Sequence, residues 1–259
     1  MSAPATKENI LVAFTLDFET GGLNCQTSAA TQIAIHATRL DTFERIGTLV
    51  KYISPYCQKE IKGVTQKKKV LKSKYEINEQ VPMEYSSVAL EYSGITMAML
   101  EEKGEEVESV ARQVLEFIQE HTPKVSRNMK PFLIGQNVEF DKGFFMQIME
   151  RAGLVKEVSK CLRGATDFYG NFQPLVLDTI LMGQLALCHL PNIDSYKLEL
   201  MCEHLGVELD DAHDADADVS ATTNVVAVLT RKMRSSADGW EDGDITISKT
   251  EKERKHFKI

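Results

Sequence analysis

Ile10–Gly22, ILVAFTLDFETGG, is an apolar run of β type that ends in two acids and a Thr-Gly-Gly turn. Side chains on a strand alternate between faces, so Asp17 and Glu19 point the same way, roughly 6–7 Å apart along the strand, while Phe18 points to the other side. Two like charges so placed raise each other's pKa unless a positive group lies between them. No Lys or Arg occurs from Ile10 to Thr38, which makes a divalent cation the natural counter-charge. An ordinary exposed strand end is the alternative reading of the same pattern.

Working outward, Ala30–Leu40 alternates Ile33, Ile35 and Ala37 against Gln32, Ala34 and His36, the period of a second strand, and Phe43–Ile53 supplies a third. Short turns between the three predict an antiparallel meander, with His36 a structural residue inside it. Val107, Val110, Ala111, Val114, Leu115 and Ile118 recur at helical spacing, and Pro123 stops the pattern. Pro131–Gly135 is a short buried strand followed by a helix over Glu139–Ala152. Leu175–Leu177 is another strand, and Asp178 stands where the next helix needs its N-cap. Helices follow over Tyr196–Leu205, with Gly206 as a left-handed stop, and from about Asp214 to Met233. Strands first, then alternating helices and short strands, predict an α/β domain with a mixed sheet.

The remaining segments bury little. Between Tyr56 and Ser87, Lys59, Lys62, Lys67, Lys68, Lys69, Lys72 and Lys74 surround few apolar residues, which predicts either a solvated excursion or a cationic flap for a phosphate backbone. Beyond Met233 the chain divides into an acidic and a basic half, the composition of a mobile tail. The 259 residues, 43% of them hydrophobic, suffice for one sizeable core. The net charge of −8 disfavours a general polyanion-binding surface. Five scattered cysteines lack zinc-site spacing and read as reduced thiols. With no apolar run near the roughly 20 residues of a membrane span and no secretion-signal pattern at the start, a cytoplasmic protein without a membrane partner is expected.

Acidic groups recur at pointed places. Asp141 falls in the first turn of the helix after the Pro131–Gly135 strand, with Asn137 just before it. In DDAHDADADVSATT, His213 precedes Asp218 by five residues across a helix start. Capping alone would account for Asp178, and for Asp141 taken singly. Asp218, well inside a helix between Ala217 and Val219, needs a charged or metallic partner. Asp211, Asp214 and Asp216 stay open as further candidates; helical geometry places Asp214, but not Asp216, on the face of Asp218.

DFETGGLN, GQNVEFD and HDADAD, in this order and at these separations, resemble the three motifs of the DnaQ-like 3′–5′ exonucleases, in the histidine (DEDDh) branch of the DEDD superfamily. The resemblance runs from about Ile10 to Met233, and the first motif is similar to that of proofreading subunits of bacterial DNA polymerase III. Ser93-Gly94-Ile95-Thr96 resembles the family's H-G-I-T element with Ser93 in place of His, and Gln136 stands where His is common. Asp214 occupies the position of the tyrosine that marks the other branch. The resemblance implies an RNase H-like mixed sheet, three antiparallel strands and then parallel ones, flanked by helices. It implies an exonuclease domain over residues 1–235 with a lysine-rich insertion at about 56–88, leaving 236–259 as the tail.

It further implies that Asp17, Glu19, Asp141 and Asp218 hold two Mg²⁺, replaceable by Mn²⁺, roughly 3.5–4 Å apart, and that His213 is the general base. Asp17 would bridge the ions, Glu19 and Asp218 would serve one, and Asp141 the other, partly through water. Thr20, Gly21 and Gly22 would offer backbone N–H groups to the terminal nucleotide, Leu23 would wedge against the last bases, Ile95 would join the substrate site, and Asn137 would brace the second motif. The implied activity is hydrolysis at single-stranded 3′ ends, DNA ahead of RNA, in proofreading or repair, releasing nucleoside 5′-monophosphates, with a DNA polymerase or replication protein as a possible partner. The alternatives are an RNA-processing exoribonuclease and a non-catalytic module that binds nucleic acid or a polymerase.

Overall fold

A computed structural model describes residues 11–58, 81–123, 129–190, 193–209 and 214–237. The lysine cluster, His213 and the tail beyond residue 237 lie outside the described residues. Strands β1 (Val12–Thr20), β2 (Ala30–Arg39) and β3 (Arg45–Tyr52) form the expected antiparallel meander. Helices α1 (Ser87–Ser93), α2 (Met97–Lys103) and α3 (Val107–His121) follow. Strand β4 (Phe132–Gly135) leads into α4 (Val138–Ala152) and α5 (Val155–Cys161). A small hairpin of β5 (Gly164–Thr166) and β6 (Phe172–Pro174) precedes β7 (Val176–Asp178), α6 (Thr179–Leu187), α7 (Leu198–Leu205) and α8 (Ala215–Ala237). The main sheet has the order β3-β2-β1-β4-β7, with β4 parallel to both β1 and β7. This is the mixed RNase H-like sheet expected from the sequence.

The alternation along β1 sorts the molecule into layers. Val12, Phe14, Leu16 and Phe18 pack with Val110, Val114 and Phe117 of α3 and with Phe144 and Ile148 of α4, and the Phe14 and Phe117 rings meet edge to face at 6.0 Å. Ala13, on the other face, packs with Ile134 and with Val226 of α8. Asp17 and Glu19 share Ala13's parity, so they face the α8 side at the end of the strand. Burying one side chain such as Phe14 contributes about 1.5–3 kcal/mol, and a one-residue slip of β1 would send both carboxylates into the aromatic layer.

Several boundaries differ from expectation. Helices α1, α2 and α5 have seven residues each, too few for two full turns of apolar repeat to be visible. The return of the lysine-rich excursion is not bare surface: Met83 is buried, Met83 N–H donates to Tyr56 O, and Glu84 N–H donates to Thr27 O. Helix α8 continues four residues past Met233; in its last turn the Arg234 guanidinium donates to the carbonyls of Leu40 and Asp41 and lies over the Phe43 ring. Among the described residues, no helix is long and apolar enough to cross a membrane.

Candidate metal centre

The site forms where β1 outlasts its parallel neighbour. The β1–β4 register ends at Thr15 opposite Ile134, so the backbone N–H of Phe18 has no strand partner on that side. Asp141 in the first turn of α4 supplies one, its Oδ1 accepting from Phe18 N–H at 3.0 Å. Chain direction reverses through Asn137, whose left-handed φ of 55° begins α4. Its N–H donates to Asp178 Oδ1 at 3.2 Å, and the same oxygen caps α6 by accepting from Ile180 N–H at 2.9 Å. Asn137 is thus tied through its backbone to the start of α6, and Asp178 is the cap expected of it. Gln136 Nε2 donates to Tyr196 O at 2.8 Å and its Oε1 accepts from the Thr179 hydroxyl, which ties the β4–α4 connection to α6 and to the approach of α7.

The last helix brings in the remaining acids, and its three aspartates have three different surroundings. Asp214 Oδ1 accepts from the N–H groups of Asp216 and Ala217 at 3.1 and 3.2 Å, an N-cap to α8. Asp216 Oδ1 lies 2.6 Å from His36 Nε2 on β2. Asp218 turns toward β1, where one oxygen each of Asp17, Glu19 and Asp218 lie within 4.8 Å of one another. Spacing left these acids unsorted; the position of the helix start separates them. His36 is the buried structural histidine expected.

The electrostatics are one-sided. Burial pushes the Asp17 carboxyl well above the usual carboxylate range, and the charges of Asp141, Glu19, Asp218 and Asp214 push it further. Burial, with Asp218 and Asp214, raises Glu19 to about 7. Asp141 is also raised, by burial first, with the Phe18 N–H opposing. Among the described residues, the charged groups that shift Asp17 and Glu19 are carboxylates, the situation that a bound cation reverses. An all-oxygen donor set suits a hard divalent ion such as Mg²⁺ or Mn²⁺. Asp141 stands outside the three-carboxylate group yet its charge acts on Asp17 more strongly than that of Glu19 or Asp218.

The turn after β1 differs in detail from expectation. Gly21 N–H already donates to Ala29 O at 2.7 Å, so it is not a donor for substrate. Glycine is required there by close approach: a Cβ at residue 21 would stand 2.4 Å from Glu84 O. Thr20 Oγ1 donates to Gly22 O at 2.9 Å, closing the turn. Leu23 projects with 89% of its surface exposed, whereas Ile95 is buried. Ser86 N–H donates to Gly21 O, which seats α1 on this turn. Tyr92 of α1, exposed, has its hydroxyl in the field of Glu199, Asp218 and Glu19. It borders the carboxylates although nothing in the motifs singled it out; Val88 and Tyr92, four apart just before Ser93-Gly94-Ile95-Thr96, were the available signal. A separate cavity of about 410 Å³ along α4, bounded by Cys25, Lys142, Gln147 and Arg151, is lined by none of Asp17, Glu19, Asp141 or Asp218.

Comparison with known proteins agrees with this geometry. The family model described as exonuclease (RNase T) matches residues 65–226, more than half of the chain; it takes in Asp141 and Asp218, while Asp17 and Glu19 precede it and join them through the fold. The PolC-type DNA polymerase III of Bacillus cereus is 29% identical over 137 residues, 53% of this chain and 8% of that one. Exonuclease I of E. coli in complex with a dT13 oligonucleotide superposes with a TM-score of 0.57 at 20% identity, over 89% of this chain and 43% of that one. The zinc-bound form of its complex with single-stranded DNA gives the same TM-score and identity, over 89% and 42%. The chain therefore spans less than half the length of these structures and a small part of the polymerase.

Proposed function

The chain belongs to the exonuclease family, as a DnaQ-like nuclease of the DEDD superfamily, and from that premise we propose that it is a metal-dependent 3′–5′ exonuclease acting on single-stranded DNA ends. The observation that carries this reading is the group of Asp17, Glu19 and Asp218, with ligand oxygens within 4.8 Å, and with carboxylates as the charges that raise Asp17 and Glu19 among the described residues. Bound divalent ions would supply Lewis acidity, neutralising charge on the phosphoryl transition state and acidifying a water. Asp17, Glu19 and Asp218 would hold these ions, with Asp141 partly through water. Asp141 would do so with the oxygen left over from Phe18 N–H, a bond that also sets its orientation. His213, which precedes the Asp214 cap in the chain, takes the proton of the attacking water; an unperturbed imidazole titrates near 6.5 and is mostly neutral at pH 7. Leu23 wedges against the last bases, and Tyr92 borders the terminal nucleotide.

DNA stands ahead of RNA because the superposed exonuclease I structures are complexes with a dT13 oligonucleotide and single-stranded DNA, and the PolC-type relative is a DNA polymerase. The polymerase match also supports proofreading alongside a polymerase partner. The test is incubation with 5′-labelled single-stranded DNA and matched RNA, in Mg²⁺ or in EDTA. A descending ladder on DNA that EDTA abolishes is expected. A ladder mainly on RNA moves the protein to RNA processing, and intact oligomers on both sides leave a binding module.

A further inference from the structure

We propose that His36 and Asp216 form a positioning couple that holds the start of α8 so that Asp218 stays beside Asp17 and Glu19; the inference rests on the metal-centre reading above. The couple joins residues 180 positions apart at 2.6 Å, and His36 is 1% exposed. A carboxylate oxygen is the natural acceptor, so the bond is written with His36 Nε2 donating to Asp216 Oδ1. His36 sits opposite Thr15 in the β1–β2 register, two residues from the Asp17–Ala34 pair. Ala34, on the same face of β2, packs with Ala215 and Val219 of α8. The bond therefore anchors α8 to the strand pair that carries Asp17.

Helix geometry makes this anchor effective. Asp216 and Asp218 are two residues apart, about 200° around the helix, so fixing one restrains rotation of the other about the axis. Restraint is needed because Asp218 is held with its oxygen within 4.8 Å of those of Asp17 and Glu19, and like groups so close favour separation of the first turn of α8 from β1. Asp214 cannot oppose it, since its oxygen caps its own helix. Near the start of α8, beside the apolar contact at Ala34, Arg45 Nη1 donates to Ser220 Oγ at 3.4 Å, a longer and more exposed bond than the buried imidazole's. Partners that orient metal ligands typically change affinity by about 10–100-fold when removed.

The experiment is calorimetric titration of the full chain with Mn²⁺, without nucleic acid, on Asp216→Ala, Asp216→Asn, Asp218→Ala and Val226→Ala. Asp216→Ala is expected to bind Mn²⁺ at least about ten-fold more weakly, whereas Asp216→Asn, which keeps an acceptor oxygen for His36, recovers most of the affinity. Val226→Ala, which loosens α8 against Ala13 and Ile134, lowers Tm and leaves Mn²⁺ affinity unchanged. Wild-type affinity in Asp216→Ala, equal weakening in Val226→Ala, or an Asp216→Ala chain without a folded circular dichroism spectrum overturns the positioning role. Wild-type affinity in Asp218→Ala overturns instead the metal-centre reading on which it rests.

Discussion

At the scale of single residues, the site holds repulsion that protonation or a bound metal ion relieves, and this gives the metal-free protein an unusual pH response. Glu19, ordinarily near 4.5, is held at about 7 in the folded chain, and Asp17 and Asp141 are raised as well. A raised acid binds its proton more tightly folded than unfolded, so it costs nothing below its unfolded pKa and destabilises increasingly as pH rises through the window to the folded value. In EDTA, Tm is therefore expected to fall between pH 5 and pH 8, with a shallower fall in Asp218→Asn; differential scanning fluorimetry with saturating Mg²⁺ should remove most of the slope. A flat wild-type profile in EDTA would contradict this. Asp17 and Glu19 were legible in the sequence because the two-residue strand period leaves no choice of face. Spacing alone left Asp214, Asp216 and Asp218 a cluster from which the motif resemblance singled out Asp218, since their roles depend on which residue begins α8.

At the scale of elements, the junctions carry the information. Asp178 serves two at once, capping α6 through Ile180 N–H and holding Asn137 N–H at the left-handed turn into α4. Asp178→Ala is expected to cost about 1 kcal/mol for the cap and more for the second bond, which for a chain of this size lowers Tm by about 2–4 °C per kcal/mol. Thermal melts against a Leu181→Ala control, a change at an exposed position of the same helix, would check it; equal melting temperatures would reduce Asp178 to surface. The helices α3, α4, α7 and α8 were foreseen from apolar spacing because each runs at least two turns with one buried face. α1, α2, α5 and the β5–β6 hairpin were not, being shorter than the patterns that reveal them. The seat of α1 on the first turn was hidden because it depends on backbone bonds between residues distant in sequence, Ser86 N–H to Gly21 O and Glu84 N–H to Thr27 O.

At the scale of the whole molecule, a five-stranded sheet sets an aromatic and aliphatic layer on one face and opposes α8 on the other, and the carboxylates collect where β1 extends past β4. The order of motifs made this arrangement legible, because β1, the start of α4 and the start of α8 carry the acids that the sheet topology brings together at the end of the central strand. The chain covers less than half of the superposed exonuclease I structures, so the two-metal centre is best tested on the site itself. Electron paramagnetic resonance of Mn²⁺ added stepwise to the protein does so most directly. Two equivalents bound with a spin-coupled spectrum, and loss of the coupling in Asp17→Asn, are the predicted results. A single uncoupled ion, or a spectrum indifferent to Asp17→Asn, would contradict the two-metal carboxylate centre.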